Sequence, residues 1–222
     1  MFTGLGELGN EYDQGLITYF EQAFDGEVVK DSFPTNTSDF STYLNKAQSE
    51  GCDVIFCPVS IAYSTQIVKL AASMNLEIPI LGSDTLDSNM VLEAAADSSV
   101  QIYCSTFYQE GGSPEFDDGI KAWLNEDSTA MTNNGGNDTI AAVTAMGYDA
   151  YYVALEALKA AGSTDPAAVK AALPSVTYTG VSGDIAFDEI GDAIRDTAYI
   201  KTLTTPTWPG LWRRCRPSPA DP

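Results

Sequence analysis

The chain has 222 residues, of which 44% are apolar and 10% aromatic; this composition suits one large or two small globular domains and excludes collagen, a coiled coil and a wholly disordered chain. Its 11 basic and 31 acidic residues give a formal net charge of -20, which excludes a nucleic-acid partner because such binding requires a positive surface. The absence of histidine excludes Ser-His-Asp and Cys-His catalysis and the usual imidazole metal sites, so that we expect neither a metal nor a cofactor.

The first half of the chain alternates helix and strand patterns. Residues 2–8 (FTGLGEL) contain two glycines and little β character, so that we expect an opening strand to be degraded or absent. Helices are predicted at 12–24, 39–50, 60–75 and 88–96, and strands at 26–33, 53–57, 78–81 and 100–108. Strands separated by helices of this length indicate βαβ units and a parallel sheet.

The second half is mainly helical. Helices are predicted at 113–125, at 139–161 and after Asp165, with a loop at 133–138, strands at 178–187 and 198–202, and a turn at 188–192. Tyr151 and Tyr152 are expected in the apolar core stripe of the long helix. The helices within 114–173 have large apolar faces and no strands of their own, which predicts partial disorder or self-association through these faces.

The last segment, residues 206–222, differs in composition from the rest. It holds five of the eleven prolines, two of the three tryptophans and three of the four arginines. A segment so rich in proline cannot continue a helix or a central strand, so that we expect a disordered tail. The four cysteines (Cys52, Cys57, Cys104 and Cys215) lack the CxxC spacing of zinc or redox sites and are expected to be buried apolar side chains.

The ordered series GNEYDQG, DFSTYL, GCDVIFCP, IPILGSD, YDAYYVALEALKAAGS and GVSGDIAFDEIGD resembles the type I periplasmic binding proteins of branched-chain amino acid ABC transporters, over residues 9–205. The resemblance implies an α/β fold: a doubly wound parallel sheet in the second, C-terminal lobe at 1–108, and an incomplete, mainly helical first lobe at 109–196. Residues 197–205 would then return to the second lobe as a strand. It also implies truncation at the N-terminus, where Met1–Asn10 shows no signal peptide.

Four polar residues follow the carboxyl ends of predicted strands, where open parallel sheets bind ligands. These are Tyr12, Ser60, Tyr63 and Asp84. The ammonium of an amino acid requires a strong acceptor, and the resemblance implies that Asp84 is this acceptor and that Tyr12 lines the cleft. Alternatives stay open: Asp84 and Ser60 could cap the elements that follow them, and Tyr12 and Tyr63 could pack on the core.

The resemblance implies a solute-binding component that captures a branched-chain or related amino acid and delivers it to a membrane permease. Its place would be periplasmic or extracellular, with a lipoprotein anchor in the full-length protein. Because the family's donors to the ligand carboxylate lie in the first lobe, we expect half a site and binding weakened toward millimolar. A ligand-sensing receptor domain of the same fold is the alternative.

An enzyme is not expected. The neighbouring carboxylates Asp117 and Asp118 lie on a predicted helix, where adjacent side chains point apart. Asp188 and Glu189 are also adjacent, and neighbouring residues on a strand face opposite sides of the sheet. The glycines of GLGELG match neither a dinucleotide-binding nor a phosphate-binding loop.

Overall fold

A computed structural model of the chain describes residues 1–96, 98–195, 198–203 and 212–215. The chain divides into two compact units, each described here by itself. Unit 1 comprises Met1–Thr106 and Ile200–Cys215, and unit 2 contains Phe107–Tyr199. None of the helices in the described ranges has the length and apolar character that crossing a bilayer requires.

The elements follow one another mostly as strand and helix in alternation. The strands are β1 (Phe2–Glu7), β2 (Val28–Phe33), β3 (Val54–Phe56), β4 (Ile80–Gly82), β5 (Ile102–Thr106), β6 (Tyr178–Gly180), β7 (Gly183–Phe187), β8 (Ala193–Ile194), β9 (Tyr199–Leu203) and β10 (Trp212–Cys215). The helices are α1 (Glu11–Ala23), α2 (Ser41–Ser49), α3 (Ile61–Ser73), α4 (Asn89–Ala94), α5 (Pro114–Glu126), α6 (Ser128–Asn133), α7 (Ala142–Ala161) and α8 (Pro166–Ala172). Short 3₁₀ helices lie at Asp84–Leu86 and Leu173–Ser175.

Unit 1 is built on a seven-stranded sheet in the order β10-β9-β5-β4-β3-β1-β2. The pairs among β1 to β5 are all parallel, which requires a helical crossover between successive strands. One face of β1 directs Phe2 into a cluster with Ile17 of α1, and the other directs Leu5 into the main core with Ile55 and Ile80. The sheet is therefore covered on both faces, which confirms the predicted doubly wound α/β fold.

The opening strand is present, and the prediction that it is degraded or absent was wrong. β1 lies inside the sheet between β2 and β3, and five of its six residues are buried. A side chain at Gly4 would place its Cβ 2.7 Å from Cγ2 of Ile17, and one at Gly6 would approach Ile17 within 2.9 Å. The glycines thus serve the close packing of α1 on β1, a tertiary reason that β propensity does not contain.

The prediction of a disordered tail at 206–222 was wrong for four residues. Trp212–Cys215 form β10, which pairs antiparallel with β9 in a register that joins Trp212 to Leu203. This strand is at the edge of the sheet and contains no proline, so that its amide groups are free to pair, while the prolines of the segment lie outside it. The predicted tail residues 206–211 and 216–222 lie outside the described part of the chain.

Unit 2 packs its helices against a small three-stranded sheet in the order β6-β7-β8. The single strand predicted at 178–187 is in fact two strands joined by a tight turn, with Gly183 at a φ of 106°. Val153 and Ala157 of α7 pack on Val176 and Ile185, so that part of the helical surface does have a local sheet to cover.

Tyr151 and Tyr152 do not lie in the core stripe, which corrects their prediction as core residues. Tyr151 is 62% exposed, and Tyr152 is partly buried with its ring stacked on that of Tyr178. The buried face of α7 is instead formed by small residues and a carboxylate, among them Ala145, Asp149 and Ala157. The composition of the helix alone suggests the larger side chains as the buried ones, and the packing selects the smaller ones.

Candidate functional site

The carboxyl ends of β1, β3 and β4 lie side by side in unit 1. Gly4 of β1 is opposite Phe56 at the end of β3, and Phe56 is opposite Leu81 of β4. The segments that leave these three strands therefore start from one edge of the sheet, the edge at which open parallel sheets bind ligands. Tyr12, Ser60 and Asp84 each lie in one of these segments.

Tyr12 and Asp84 meet at this edge. The Tyr12 hydroxyl donates a hydrogen bond to Oδ1 of Asp84, although 72 residues separate the two in sequence. Tyr12 is 46% exposed and Asp84 is half-buried, so that the pair remains open to solvent. Partial burial, and then the hydrogen bond to Asp84, raise the pKa of Tyr12 to about 12.

Local structure fixes both residues of the pair. Asn10 caps α1, with its Oδ1 accepting the amide hydrogens of Tyr12 at 3.0 Å and Asp13 at 3.3 Å. Asp84 opens the 3₁₀ helix that follows β4, and its carbonyl accepts the amide hydrogen of Asp87 at 3.0 Å. Each side chain therefore projects from the first turn of a helix that begins just beyond a strand.

Ser60 and Tyr63 have other surroundings. Ser60 is exposed at the N-cap position of α3 and, within the described residues, its side chain makes no capping hydrogen bond. The Tyr63 hydroxyl accepts the Asn36 amide hydrogen at 2.9 Å and donates to Glu7 at 3.4 Å. Its ring lies 4.9 Å from that of Phe33, edge to face, so that Tyr63 packs beside the ends of β1 and β2.

Two carboxylates that the sequence analysis did not single out lie at the end of β1. Glu7 is half-buried and receives the Tyr63 hydroxyl, while the buried Asp13 accepts the Glu7 amide hydrogen at 2.9 Å. Burial raises the pKa of Asp13, opposed by that amide hydrogen bond. Glu7 and Asp13 belong to the same β1–α1 segment as Tyr12, so that the segment is acidic, which favours a cationic group.

A buried ion pair involves Asp87, the residue that follows the 3₁₀ helix opened by Asp84. Nζ of Lys201, on β9, is 3.0 and 2.8 Å from the two carboxylate oxygens of Asp87, and both side chains are at most 3% exposed. The Thr106 hydroxyl at the end of β5 donates to Oδ2 of the same carboxylate at 2.7 Å. The sequence signal for this pair is a lysine within the strand predicted at 198–202, but its partner is 114 residues away.

Unit 2 has a separate cleft of about 290 Å³ beside Arg195. The guanidinium of Arg195 lies 5.3 Å from the centre of the Phe107 ring and donates to the carbonyl oxygen of Ser182 at 3.1 Å. Gln109 also lines the cleft, and its Oε1 is buried without a hydrogen-bond partner among the described residues. No local sequence pattern indicates this cleft, although Arg195 is the only arginine before residue 206.

The described cysteines lie in the core of unit 1. Cys52, Cys57 and Cys104 are free and buried, as predicted, and burial raises the pKa of the Cys57 thiol to about 12, so that it is not a nucleophile at neutral pH. The side chain of Cys215 lies outside the described part. Within the ranges that the structure describes, no group of three acidic or cysteine side chains is arranged to hold a metal ion.

Comparison with known proteins gives a family match and a set of similar folds. A family model described as periplasmic binding protein matches residues 4–203, which is most of the chain. Comparison with curated protein sequences gives no match.

Three solved structures illustrate the similarity of fold. A leucine-binding protein from Thermotoga maritima has a TM-score of 0.78 at 24% identity, over 99% of this chain and 60% of its own. The branched-chain amino acid transporter substrate-binding protein of Streptococcus pneumoniae, in complex with isoleucine, has a TM-score of 0.68 at 21% identity, over 96% and 60%. An ABC transporter solute-binding protein from R. palustris, in complex with benzoate, has a TM-score of 0.76 at 18% identity, over 96% and 57%. The chain therefore spans about 60% of the length of the structures it matches.

Proposed function

This chain belongs to the periplasmic binding protein family, and from that premise we propose that it is the solute-binding component of an ABC transporter that takes an amino acid. The observation that carries the proposal is the meeting of Tyr12 and Asp84 at the carboxyl edge of the sheet. In this role the carboxylate of Asp84 accepts the ligand ammonium, and Tyr12 holds the carboxylate in place.

The geometry of the pair supports a cationic ligand group. Tyr12 occupies one oxygen of Asp84 and, among the described residues, leaves the second oxygen available for a ligand. A hydrogen bond between an ammonium and a carboxylate contributes about 1.5–3 kcal/mol, more than a neutral hydrogen bond. The acidic side chains of the β1–α1 segment would add attraction for the same charge.

The similar structures narrow the ligand class without deciding it. Leucine-binding, isoleucine-bound and benzoate-bound proteins all share this fold, and benzoate carries a carboxylate but no amine. We propose an amine-bearing ligand because an acidic side chain at the binding edge would repel a ligand that is only an anion. Branched-chain amino acids are the first candidates.

Ligand-observed saturation-transfer NMR tests the proposal, because it detects binding into the millimolar range. We expect leucine, isoleucine or valine to give a signal with the natural chain and to lose it with Asp84→Asn. Asp31→Asn is the matched control, since Asp31 is a half-buried carboxylate paired with Lys46, and it should leave binding unchanged. Equal binding of amino acids to Asp84→Asn, or binding of benzoate alone, would contradict the proposal.

We extend the proposal to location and partner. An ABC transporter component of this family would act outside the cytoplasm, held at the membrane by a lipoprotein anchor, and would deliver its ligand to a membrane permease without chemical change. Within this scheme we assign unit 1 to the C-terminal lobe and residues 107–199 to the other lobe. Support comes from the family match and from the transporter proteins among the similar structures.

A further inference from the structure

We propose that Lys201 is a positioning residue for Asp84, acting through Asp87 and the 3₁₀ helix between the two acidic residues. The inference rests on the proposed function in one respect, which is that the side chain of Asp84 accepts the ammonium of the ligand. The positional claim itself concerns only the contacts within unit 1 and can be tested without a ligand.

The first step is the fixing of Asp87. Its carboxylate is held by Lys201 at 2.8 and 3.0 Å and by the Thr106 hydroxyl at 2.7 Å. These two partners belong to β9 and β5, which are neighbours in the sheet. All three side chains are almost completely buried, so that the ionic interaction is not screened by solvent and the carboxylate position is closely defined.

The second step carries this position to Asp84. The amide hydrogen of Asp87 bonds to the carbonyl of Asp84 at 3.0 Å, and that of Leu86 bonds to the carbonyl of Ser83 at 3.1 Å. Leu86 is fully buried and packs directly over Gly82, where an added Cβ would lie 2.5 Å from its Cδ2. One turn of helix is not stable by itself, so that its place depends on these anchors at its end.

The third step is the consequence of removing the lysine. Asp87 would then be a buried carboxylate that has lost its ion pair with Lys201, which is strongly unfavourable. The chain can relieve this by turning Asp87 toward water, and this movement shifts the turn that carries Asp84. The contact between Asp84 and Tyr12 reports such a shift directly.

Tyrosine labelled with ¹³C at Cζ gives the measurement. The Tyr12 resonance is identified by its absence in Tyr12→Phe, and its position without the hydrogen bond is given by Asp84→Ala. We expect Lys201→Met to move the Tyr12 resonance to the Asp84→Ala position. The double variant Asp87→Asn/Lys201→Met removes both charges, so that the thermal stability should largely recover. It also removes both contacts of the Lys201 ammonium with residue 87, so that the 3₁₀ helix loses this anchor and the Tyr12 resonance should stay moved.

Lys46→Met is the matched control, because Lys46 forms a surface ion pair with Asp31 at 3.0 Å and should leave the Tyr12 resonance in place. Thr106→Val removes one hydrogen bond to Asp87 with little change of shape and should give a smaller shift in the same direction. An unmoved Tyr12 resonance in the folded double variant would overturn the proposal. If neither Lys201 variant folds, an unmoved resonance in Thr106→Val would overturn it.

Titration with leucine separates this inference from the proposed function. Where the natural chain binds leucine, the double variant should bind about tenfold or more weakly, equivalent to about 1.4 kcal/mol or more. If leucine, isoleucine and valine all fail to bind while the Tyr12 resonance still moves, the function fails and the positioning role stands. If leucine binding depends on Asp84 but the Tyr12 resonance is unmoved in the double variant, the positioning role fails and the proposed function stands.

Discussion

Among single residues, Tyr12 is distinguished by an ionisation that its surroundings oppose. Partial burial and the bond to Asp84 both favour the protonated phenol, and together they raise its pKa from 10 to about 12. A phenolate at this position would face the Asp84 carboxylate without a shared proton. The Tyr12 phenol therefore keeps its proton, and can donate it to Asp84, until the pH rises toward 12.

The raised pKa predicts a loss of stability at high pH. Because the unfolded chain releases the Tyr12 proton near pH 10 and the folded chain near 12, the stabilisation is complete below pH 10 and is lost as the pH rises toward 12. Urea unfolding followed by circular dichroism measures the unfolding free energy at pH 9 and at pH 11. These two pH values lie about one unit below and above the pKa of Tyr12 in the unfolded chain, so that the difference between them reports the loss.

Tyr12→Phe should make this alkaline decline shallower, while some decline remains because burial also raises the pKa of Tyr108. Tyr19→Phe is the control, since Tyr19 is 70% exposed on the same helix. An equal decline in the natural chain and in Tyr12→Phe would contradict the prediction.

At the scale of residues, the sequence predicted where the candidate site residues lie along the sheet better than it predicted their contacts. Asp84 and Tyr12 lie after strands, and the rule for parallel sheets is enough to place both at one edge. Their direct hydrogen bond, and the packing of Tyr63 on Phe33, depend on side-chain directions that the rule does not contain. Lys201 and Asp87 could not be paired, because no local pattern links residues 114 positions apart.

Among the elements, α1 packs so closely on β1 that no room is left for a side chain at Gly4. Gly4→Ala should destabilise unit 1 by about 1–3 kcal/mol, because the new methyl group would lie 2.7 Å from Ile17. Thermal and urea unfolding measure the loss. Gly15→Ala on α1 is the matched control: a Cβ there meets nothing within 4 Å, so that it should stabilise by up to about 1 kcal/mol.

A second variant distinguishes steric crowding from other effects of the alanine. Ile17→Ala added to Gly4→Ala removes the group that the new methyl would strike, so that the double variant should be more stable than the sum of the two single changes predicts. Strict additivity of the two changes would contradict the packing explanation.

The turn between β6 and β7 depends on one buried carboxylate of α7. Asp149 accepts the amide hydrogens of Val181 at 2.9 Å and Ser182 at 2.8 Å, together with the Ser182 hydroxyl at 2.5 Å. Asp149→Ala should therefore destabilise unit 2 by about 2–4 kcal/mol, because it leaves two amide groups without their acceptor.

Hydrogen exchange of the Val181 and Ser182 amides provides the specific measurement, with faster exchange expected in Asp149→Ala. Asp118→Ala changes an exposed carboxylate of the same unit and should leave both the exchange and the stability near their natural values. Unchanged protection of the two amides in Asp149→Ala would show that the turn forms without this carboxylate.

Element types were predicted well where periodicity was long, as for α1, α3 and α7. The errors came where a tertiary contact overrules the local pattern. Residues 178–187 have the composition of one strand, and the turn inside them exists because Asp149 binds its amides. β10 likewise forms by pairing with β9. The local sequence around it is rich in proline and gives no sign of that pairing.

For the molecule as a whole, self-association stays a prediction, and its physical basis is exposed apolar surface on the helices of unit 2. Val143 and Tyr151 of α7 are each 62% exposed, and Trp123 of α5 is 54% exposed. A net charge of -20 opposes association between copies, and salt screens this repulsion. We therefore expect association to increase with protein concentration and with salt, as measured by sedimentation equilibrium.

Val143→Gln/Tyr151→Gln should lower the association constant, because it removes exposed apolar surface without adding charge. The control Leu8→Gln changes an apolar residue of unit 1 that is 66% exposed and should not alter the association constant. A monomer at all concentrations and salt levels would contradict the prediction.

The distance in sequence between Asp87 and Lys201 also has a consequence for biosynthesis. A ribosome adds about 5–20 residues per second, so that Lys201 is made on the order of ten seconds after Asp87. Once residue 106 has been made, the nascent chain holds β1 to β5 complete but still lacks the lysine that pairs with the buried Asp87 carboxylate. The ion pair of Asp87 with Lys201 can therefore form only after residue 201 has emerged from the ribosome.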